Sequence, residues 1–222
     1  MEFDLAYLTA QMPALMRGLL VTVQVSVISI ALSVVVGLIG AAVRLLEVPV
    51  LSRIVSAYVE FIRNTPLLAQ IFFIFYGLPT VGFKLSLFWS GVLSLTLWAG
   101  AYQIENIRGG LETVAKGLRE AAFSLGLSPW YYFRLVAAPI AVRVALPSML
   151  NTSISLLKNS SYLQAIGLTE LTFVAIDRIS MDFRTIEMFA AICVIYLGLV
   201  VVLSFFAGLL EHHLRKPFAV GA

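Results

Sequence analysis

Apolar residues run through this chain in long blocks, without the short alternations that mark strands. Residues 14–43 form the first block, with Arg17 near one end. About 20 apolar residues cross the hydrocarbon core as a helix, so this block predicts a first spanning segment after a short exposed start over residues 1–13. Its small and polar residues are Thr22, Ser26, Ser29, Ser33, Gly37 and Gly40. They step by four, three, four, four and three positions, which is one face of a helix. In lipid such a stripe is a surface for packing against another helix, and lining a polar path is the alternative.

A second segment covers residues 51–78 and contains Glu60-Phe-Ile-Arg63-Asn64-Thr65-Pro66, followed by Gln70. Pro66 removes a helix hydrogen bond and crowds the turn before it, so a broken helix at membrane depth is expected. Thr65 can cap the helix that restarts there, and free N–H groups at such a restart suit an anion such as a carboxylate. The simpler reading is a proline kink, with Arg63 reaching the interface and pairing with Glu60 one turn earlier. A third segment covers residues 86–107. Near its end Tyr102, Glu105 and Arg108 share a face, and Arg108-Gly109-Gly110 reads as its stop. The fourth, from Pro147 over residues 147–166, carries Asn151, Thr152, Ser153, Ser155, Lys158, Asn159, Ser160 and Ser161. That load cannot face lipid, and Lys158 is either functional or paired with Glu60 or Glu105. Residues 167–187 are polar again, and 188–210 form a clean fifth span. His212 and His213 follow it without partners at ligand spacing, so a solvated end is expected and no metal site.

Between the third and fourth segments lies Glu120-Ala-Ala-Phe-Ser-Leu-Gly126-Leu-Ser-Pro129-Trp, too polar for the membrane. It reads as helix, turn, helix. Gly126 suits a left-handed helix end, Ser128 an N-cap, and Pro129 the first helical position, with Leu127 stapled onto Tyr132. So short a hairpin lacks an apolar core and must dock on something else, unless it is an ordinary loop of two surface helices.

At 222 residues, 60% hydrophobic and 12% charged, with mean hydropathy +0.97, the composition is that of an integral membrane protein. Soluble domains carry about 25% charged residues. No charged n-region with a cleavage site precedes the first span, so no removed signal peptide is expected. The lone Cys193 excludes an intramolecular disulfide and a cysteine-built metal cluster. Five spans place Arg44, Arg53, Arg108, Lys116, Arg119, Arg134, Arg143, Arg215 and Lys216 on one side, and Arg17, Lys84, Arg178 and Arg184 on the other. The larger set marks the cytoplasm. The N-terminus is then outside, with the C-terminus and the Glu120 hairpin inside.

Glu120-Ala121-Ala122, three residues and Gly126 resemble the "EAA" loop of permease subunits of bacterial ABC importers, with Pro139 kept downstream and Ala138 where Leu is usual. Leu15 to Ser26 is similar to the opening of the polar amino acid branch of that family. The same holds for Tyr58 to Leu68, for Ala101-Tyr102 with Glu105 and Arg108-Gly-Gly, and for Leu157-Lys158-Asn159-Ser160-Ser161. Asn106 stands in place of an aliphatic residue, Leu118 in place of Gln, and Asn159 in place of an acid. The resemblance covers roughly residues 14–210. It implies an all-α, type I ABC importer permease: five transmembrane helices in one domain over 1–222, with a cytoplasmic coupling hairpin at about 109–147. The bacterial inner membrane is the implied location. The implied partners are ABC ATPase subunits, a second permease in a homo- or heterodimer, and an external amino-acid-binding protein. ATP and Mg would sit in the ATPase, with no cofactor on this chain. Where some relatives place an acid suited to cationic substrates, after Asn151, this chain has Thr152.

No Gly-x4-Gly-Lys-Ser/Thr segment exists to cradle ATP, so energy must come from a partner. The expected mechanism is a rigid hairpin, Glu120 to Pro139, moved by that partner. Glu120, Ala121, Ala122, Gly126 and Pro139 are its coupling residues. Thr65, Gln70, Asn151, Thr152, Lys158 and Ser160 are candidates for binding an amino acid. An ABC permease for another small polar solute is an alternative. An ion-coupled transporter or channel is a rival, weakened by the chain's size, by no detectable inverted repeat, and by an unexplained hairpin. No hydrolase or metalloprotease motif is present, and nothing suggests nucleic-acid binding.

Overall fold

The computed structural model describes residues 3–215, with side chains through 212; His213, Arg215 and Lys216 of the charged end therefore lie outside the described side chains. Every regular element among the described residues is helical. In chain order these are α1 (Leu5–Leu45), α2 (Leu51–Arg63), α3 (Leu67–Phe72), α4 (Leu87–Glu112), α5 (Lys116–Ser124), α6 (Pro129–Tyr132), α7 (Ala138–Asn159), α8 (Leu171–Asp182) and α9 (Thr185–Arg215). Helix is the expected outcome, because a spanning segment must satisfy its own backbone N–H and C=O groups.

Three stretches are long and apolar enough to cross a membrane alone: Leu5–Leu45, Pro129–Ile166 and Thr185–His212. A fourth arises if α2 and the helical stretch Leu67–Val81 count as one broken span. The break falls at Asn64–Pro66, where Pro66 was expected to force it. Helix α4, the expected third span, falls outside this set, although its 26 residues give it the length.

Several boundaries differ from those predicted. Helix α1 begins at Leu5, not near residue 14, because the amphipathic start continues the helix through Pro13. Arg108-Gly109-Gly110 does not stop α4, which runs to Glu112. Pro147 does not start the fourth span but lies inside α7, and Pro139 is likewise internal. A π-helical turn, Phe133–Ala137, precedes Pro139 and loosens the stretch where its ring would crowd the carbonyl of residue 135. The polar interval 167–187 holds the 12-residue α8.

The chain divides into two compact units, each with its own interior. The first comprises residues 1–30, 67–95 and 154–204. Its core joins Leu15, Leu171, Ala175, Met188, Ala191 and Ile192. Gly18 lies against the backbone of Leu171, and the Ser29 hydroxyl donates to the Val92 carbonyl at 3.3 Å. Helix α3 packs on the short 3-10 stretch Ser160–Ile166.

The second unit comprises residues 31–66, 96–153 and 205–222. Gly37 rests on Gln103 and Gly40 on Ile104, so the small-residue stripe of α1 is a packing face. All six stripe residues are buried. Gly110 is pressed against the backbone of Ala141, which explains a glycine inside α4, whereas Gly109 has open space around it. Gly110→Val is therefore expected to lower stability in detergent by about 1–3 kcal/mol through overpacking. Gly109→Ala should be neutral or gain up to about 1 kcal/mol. Thermal unfolding of the two purified variants checks the pair, and equal midpoints would contradict the close contact.

Candidate functional site

The hairpin's local structure follows its sequence. Helix α5 ends on Gly126, whose φ of 79° places it in the left-handed region. The Leu127 N–H donates to the Ala122 carbonyl at 3.1 Å and the Gly126 N–H to Phe123 at 2.9 Å, the paired bonds of a Schellman end. Ser128 caps the next helix, its hydroxyl accepting from the Tyr131 N–H at 3.4 Å, with Pro129 following. Leu127 and Tyr132 share one cluster, as the staple requires.

So short a hairpin was expected to dock on something else, and part of what it docks on is the rest of its own chain. Ala122, Tyr132, Phe133 and Ala137 are buried with Ala41, Ile107, Leu111, Ala141, Ala145 and Met149 of the same unit. Its inner face is thus held by its own chain. The outer face is not covered: Leu118, Phe123, Leu125, Trp130, Tyr131 and Leu135 are all exposed, Leu125 at 82%. Glu120, Ala121, Gly126 and Pro139 are exposed as well, whereas Ala122 faces inward. Beyond α6 the helical path continues through the π-helical turn into α7, which carries Asn151 and Thr152.

The six candidate binding residues are divided between the two units. Thr65, Asn151 and Thr152 belong to one unit, and Gln70, Lys158 and Ser160 to the other. The Thr65 hydroxyl donates to the Phe61 carbonyl at 2.8 Å. Thr152 donates to the Ser148 carbonyl at 3.1 Å and accepts from the Asn106 amide at 3.0 Å. That amide also donates to the Gln103 side-chain oxygen at 3.2 Å, and the Gln103 amide donates to the Met149 carbonyl at 3.2 Å. Ser160 is buried and donates to its own Leu157 carbonyl at 2.7 Å, while Gln70 is buried and Asn151 exposed. The Gln103–Asn106–Thr152 chain was not legible beforehand, because no spacing rule links residues 46 positions apart.

One ion-pair expectation is also corrected. Arg63 pairs with Glu105 at 3.7 Å rather than with Glu60, and its guanidinium lies 5.3 Å from the Tyr102 ring centre. Lys158 is exposed, and the Glu105 carboxylate is shared by Arg44, Arg63 and Arg108 of its own unit. The expected Glu105–Arg108 pair is present at 3.1 Å. Tertiary contact redirects these charges because α1, α2 and α4 bring three guanidinium groups to one carboxylate. Among the described residues no group of His, Cys, Asp and Glu is placed to hold a metal ion.

This architecture has known counterparts. The family model described as binding-protein-dependent transport system inner membrane component matches residues 33–216. The chain belongs to that family. A probable amino-acid ABC transporter permease protein, PatM of Vibrio harveyi, is 35% identical over 92% of this chain and 93% of its own. The glutamine transport system permease protein GlnP of Escherichia coli K12 is 33% identical over 97% of this chain and 99% of its own. Among solved structures, the crystal structure of an amino acid ABC transporter with histidines has 31% identity and a TM-score of 0.85. It covers 96% of this chain and all of that one, 100%. The fold is accordingly that of an ABC transporter permease, a membrane subunit without catalytic chemistry of its own.

One buried carboxylate in this permease carries no mark in the sequence. Glu170 is fully buried and caps α8, accepting from the N–H groups of Thr172 at 2.9 Å and Phe173 at 2.7 Å. The Tyr196 hydroxyl of α9 donates to it at 3.1 Å and the Thr22 hydroxyl of α1 at 3.5 Å, while Thr22 accepts from the Leu171 N–H at 3.1 Å. Burial pushes the Glu170 carboxyl above its ordinary value, opposed by those backbone N–H groups and the Tyr196 hydroxyl. Glutamate is an unusual cap residue, so no sequence signal marked it. Glu170→Ala removes a cap and several hydrogen bonds to a buried acceptor, an expected loss of about 2–4 kcal/mol. Glu170→Gln keeps one acceptor oxygen and should lose less. Thermal unfolding of both variants in detergent checks the order, and equal losses would contradict the capping role.

Proposed function

We propose that this chain is the permease subunit of an ATP-driven importer for polar amino acids. The family match over residues 33–216 carries the reading, and relatives named as amino-acid and glutamine permeases narrow the cargo. On this reading the protein spans the bacterial inner membrane five times. α4 is then a span despite its mixed composition, and the broken α2–α3 path is another. The excess of Lys and Arg in the α1–α2 and α4–α7 connections sets the hairpin in the cytoplasm and the N-terminus outside.

The partners are two ABC ATPase subunits, a second permease, identical or related, and an external amino-acid-binding protein. ATP and Mg are held by the ATPase, because this chain has no phosphate loop. The 109–147 hairpin is the coupling element of a single permease domain. Its uncovered aromatic and apolar face, with Glu120, Ala121 and Gly126 exposed, is what an ATPase groove would receive. The Schellman end at Gly126 fixes the angle of α5. The continuous helical path from α6 through the π-helical turn into α7 gives a push on the hairpin a route to Asn151 and Thr152. Thr65, Gln70, Asn151, Thr152, Lys158 and Ser160 are the residues proposed to meet the cargo. Thr152, bonded to the neutral Asn106, favours an uncharged side chain over a cationic one.

Reconstituted uptake tests this. Gly126→Val forces a β-branched residue into a positive φ, and Glu120→Lys reverses the charge on the docking face. Each is expected to leave the permease folded in the membrane and to cut ATP-dependent amino-acid uptake at least tenfold, with weaker co-purification of the ATPase. Normal uptake by both variants would sink the coupling assignment. Uptake driven by an ion gradient without any ATPase would sink the permease reading itself.

A further inference from the structure

A polar cavity of about 430 Å³ lies beside the Glu105 cluster, lined by residues from α1, α2 and α4. Its volume is within the range of about 300–1,000 Å³ that small-molecule sites occupy. The charged lining is Arg44, Arg63, Glu60 and Glu105, two guanidinium groups against two carboxylates. That balance argues against an anion site, which would need surplus positive charge. It suits a ligand carrying both signs.

The charges are not equally engaged. Arg44 pairs directly with Glu105, whose carboxylate also meets Arg108, and Arg108 is itself shared with Glu112 outside the lining. Arg63 is held more loosely, 3.7 Å from Glu105 and 43% exposed, with its guanidinium steadied over the Tyr102 ring. Glu60 is exposed and carries no ion pair among the described residues. One turn apart on α2, Arg63 and Glu60 thus offer a donor fork and a carboxylate side by side. Asn64 adds an acceptor: its amide nitrogen donates to the Glu60 carbonyl at 2.7 Å, leaving its side-chain oxygen.

We propose that this cavity is an inner binding site for a free zwitterionic amino acid, with Arg63 taking the carboxylate and Glu60 the ammonium. The site is distinct from the Thr152 group on α7 and holds the cargo where it is released. Occupancy favours the conformation in which the cavity is open, so accumulated amino acid slows further uptake by population shift. The identity of the cargo and the side on which the cavity opens rest on the proposed function.

The test uses the complete transporter in proteoliposomes, with L-glutamine and a panel of the other common amino acids as probes. For whichever is taken up, loading the same amino acid on the ATP side is expected to slow uptake. Arg63→Gln and Glu60→Gln should each raise the half-inhibiting concentration about tenfold or more, the effect of losing one charge-assisted hydrogen bond. The amidated and N-acetylated forms of that amino acid, each lacking one charge, should not inhibit. Inhibition that is absent, or unchanged in the Glu60→Gln transporter, overturns the inference while leaving the permease function standing. If no amino acid is transported, the functional reading fails instead. Equilibrium binding of the same panel to the purified permease then decides the cavity: binding lost in Arg63→Gln supports it, and no binding overturns it. Thermal stabilisation that appears only with anionic phospholipid vesicles also overturns it, since the cavity is then a headgroup site.

Discussion

The constraint from which the rest follows is the absence of a hydrophobic drive between helices once they are in lipid. A leucine gains little by leaving acyl chains for another leucine, so helices must associate through close van der Waals contact and satisfied polar groups. The 41-residue α1 meets that requirement with one small face. In the first unit Gly18 reaches the backbone of Leu171, and in the second Gly37 and Gly40 seat Gln103 and Ile104. Larger residues would hold these helices apart, and the buried hydrogen bonds of Ser29 and Thr22 would not form. The same economy explains Gly110 in α4, which interrupts no helix and exists for the sake of Ala141.

The hairpin owes its shape to this packing. Its inner residues complete a cluster shared with α1, α4 and α7, so it is anchored rather than loose. Its outer residues leave tryptophan, tyrosine, phenylalanine and leucine in the open. A soluble surface rarely tolerates so many together without a partner. Between the two faces, the left-handed Gly126 and the Ser128 cap set a corner with little freedom. An element built this way transmits displacement better than it absorbs it.

Polar side chains inside the fold are arranged in chains of partners, each anchored by a residue distant in sequence. Glu170 ties α8 to α1 and α9, Thr152 reaches Gln103 through Asn106, and Glu105 gathers three arginines. An unpaired member of any such chain would be costly where water is scarce. Around Glu105, however, the pairing is uneven, and the looser Arg63 faces a cavity rather than a closed contact.

Much of this was legible in the residues alone. The length of the apolar blocks required helices, the step pattern from Thr22 to Gly40 identified the packing face of α1, and Pro66 located the break in the second segment. Gly126, Ser128 and Pro129 specified the hairpin corner. These are local effects, governed by backbone geometry and by periodicity along a single helix, and a sequence carries them directly. Only the tertiary structure decided where the helices of the 109–147 region end, because Gly110, Pro139 and Pro147 act as breakers locally and yet are held within helices by their neighbours. It also chose Glu105 over Glu60 for Arg63, buried Glu170 as a cap, and joined Asn106 to Thr152. Such pairings depend on which helices lie side by side, and several side chains of suitable chemistry compete for each partner. The spacing of residues along one chain holds no record of that choice.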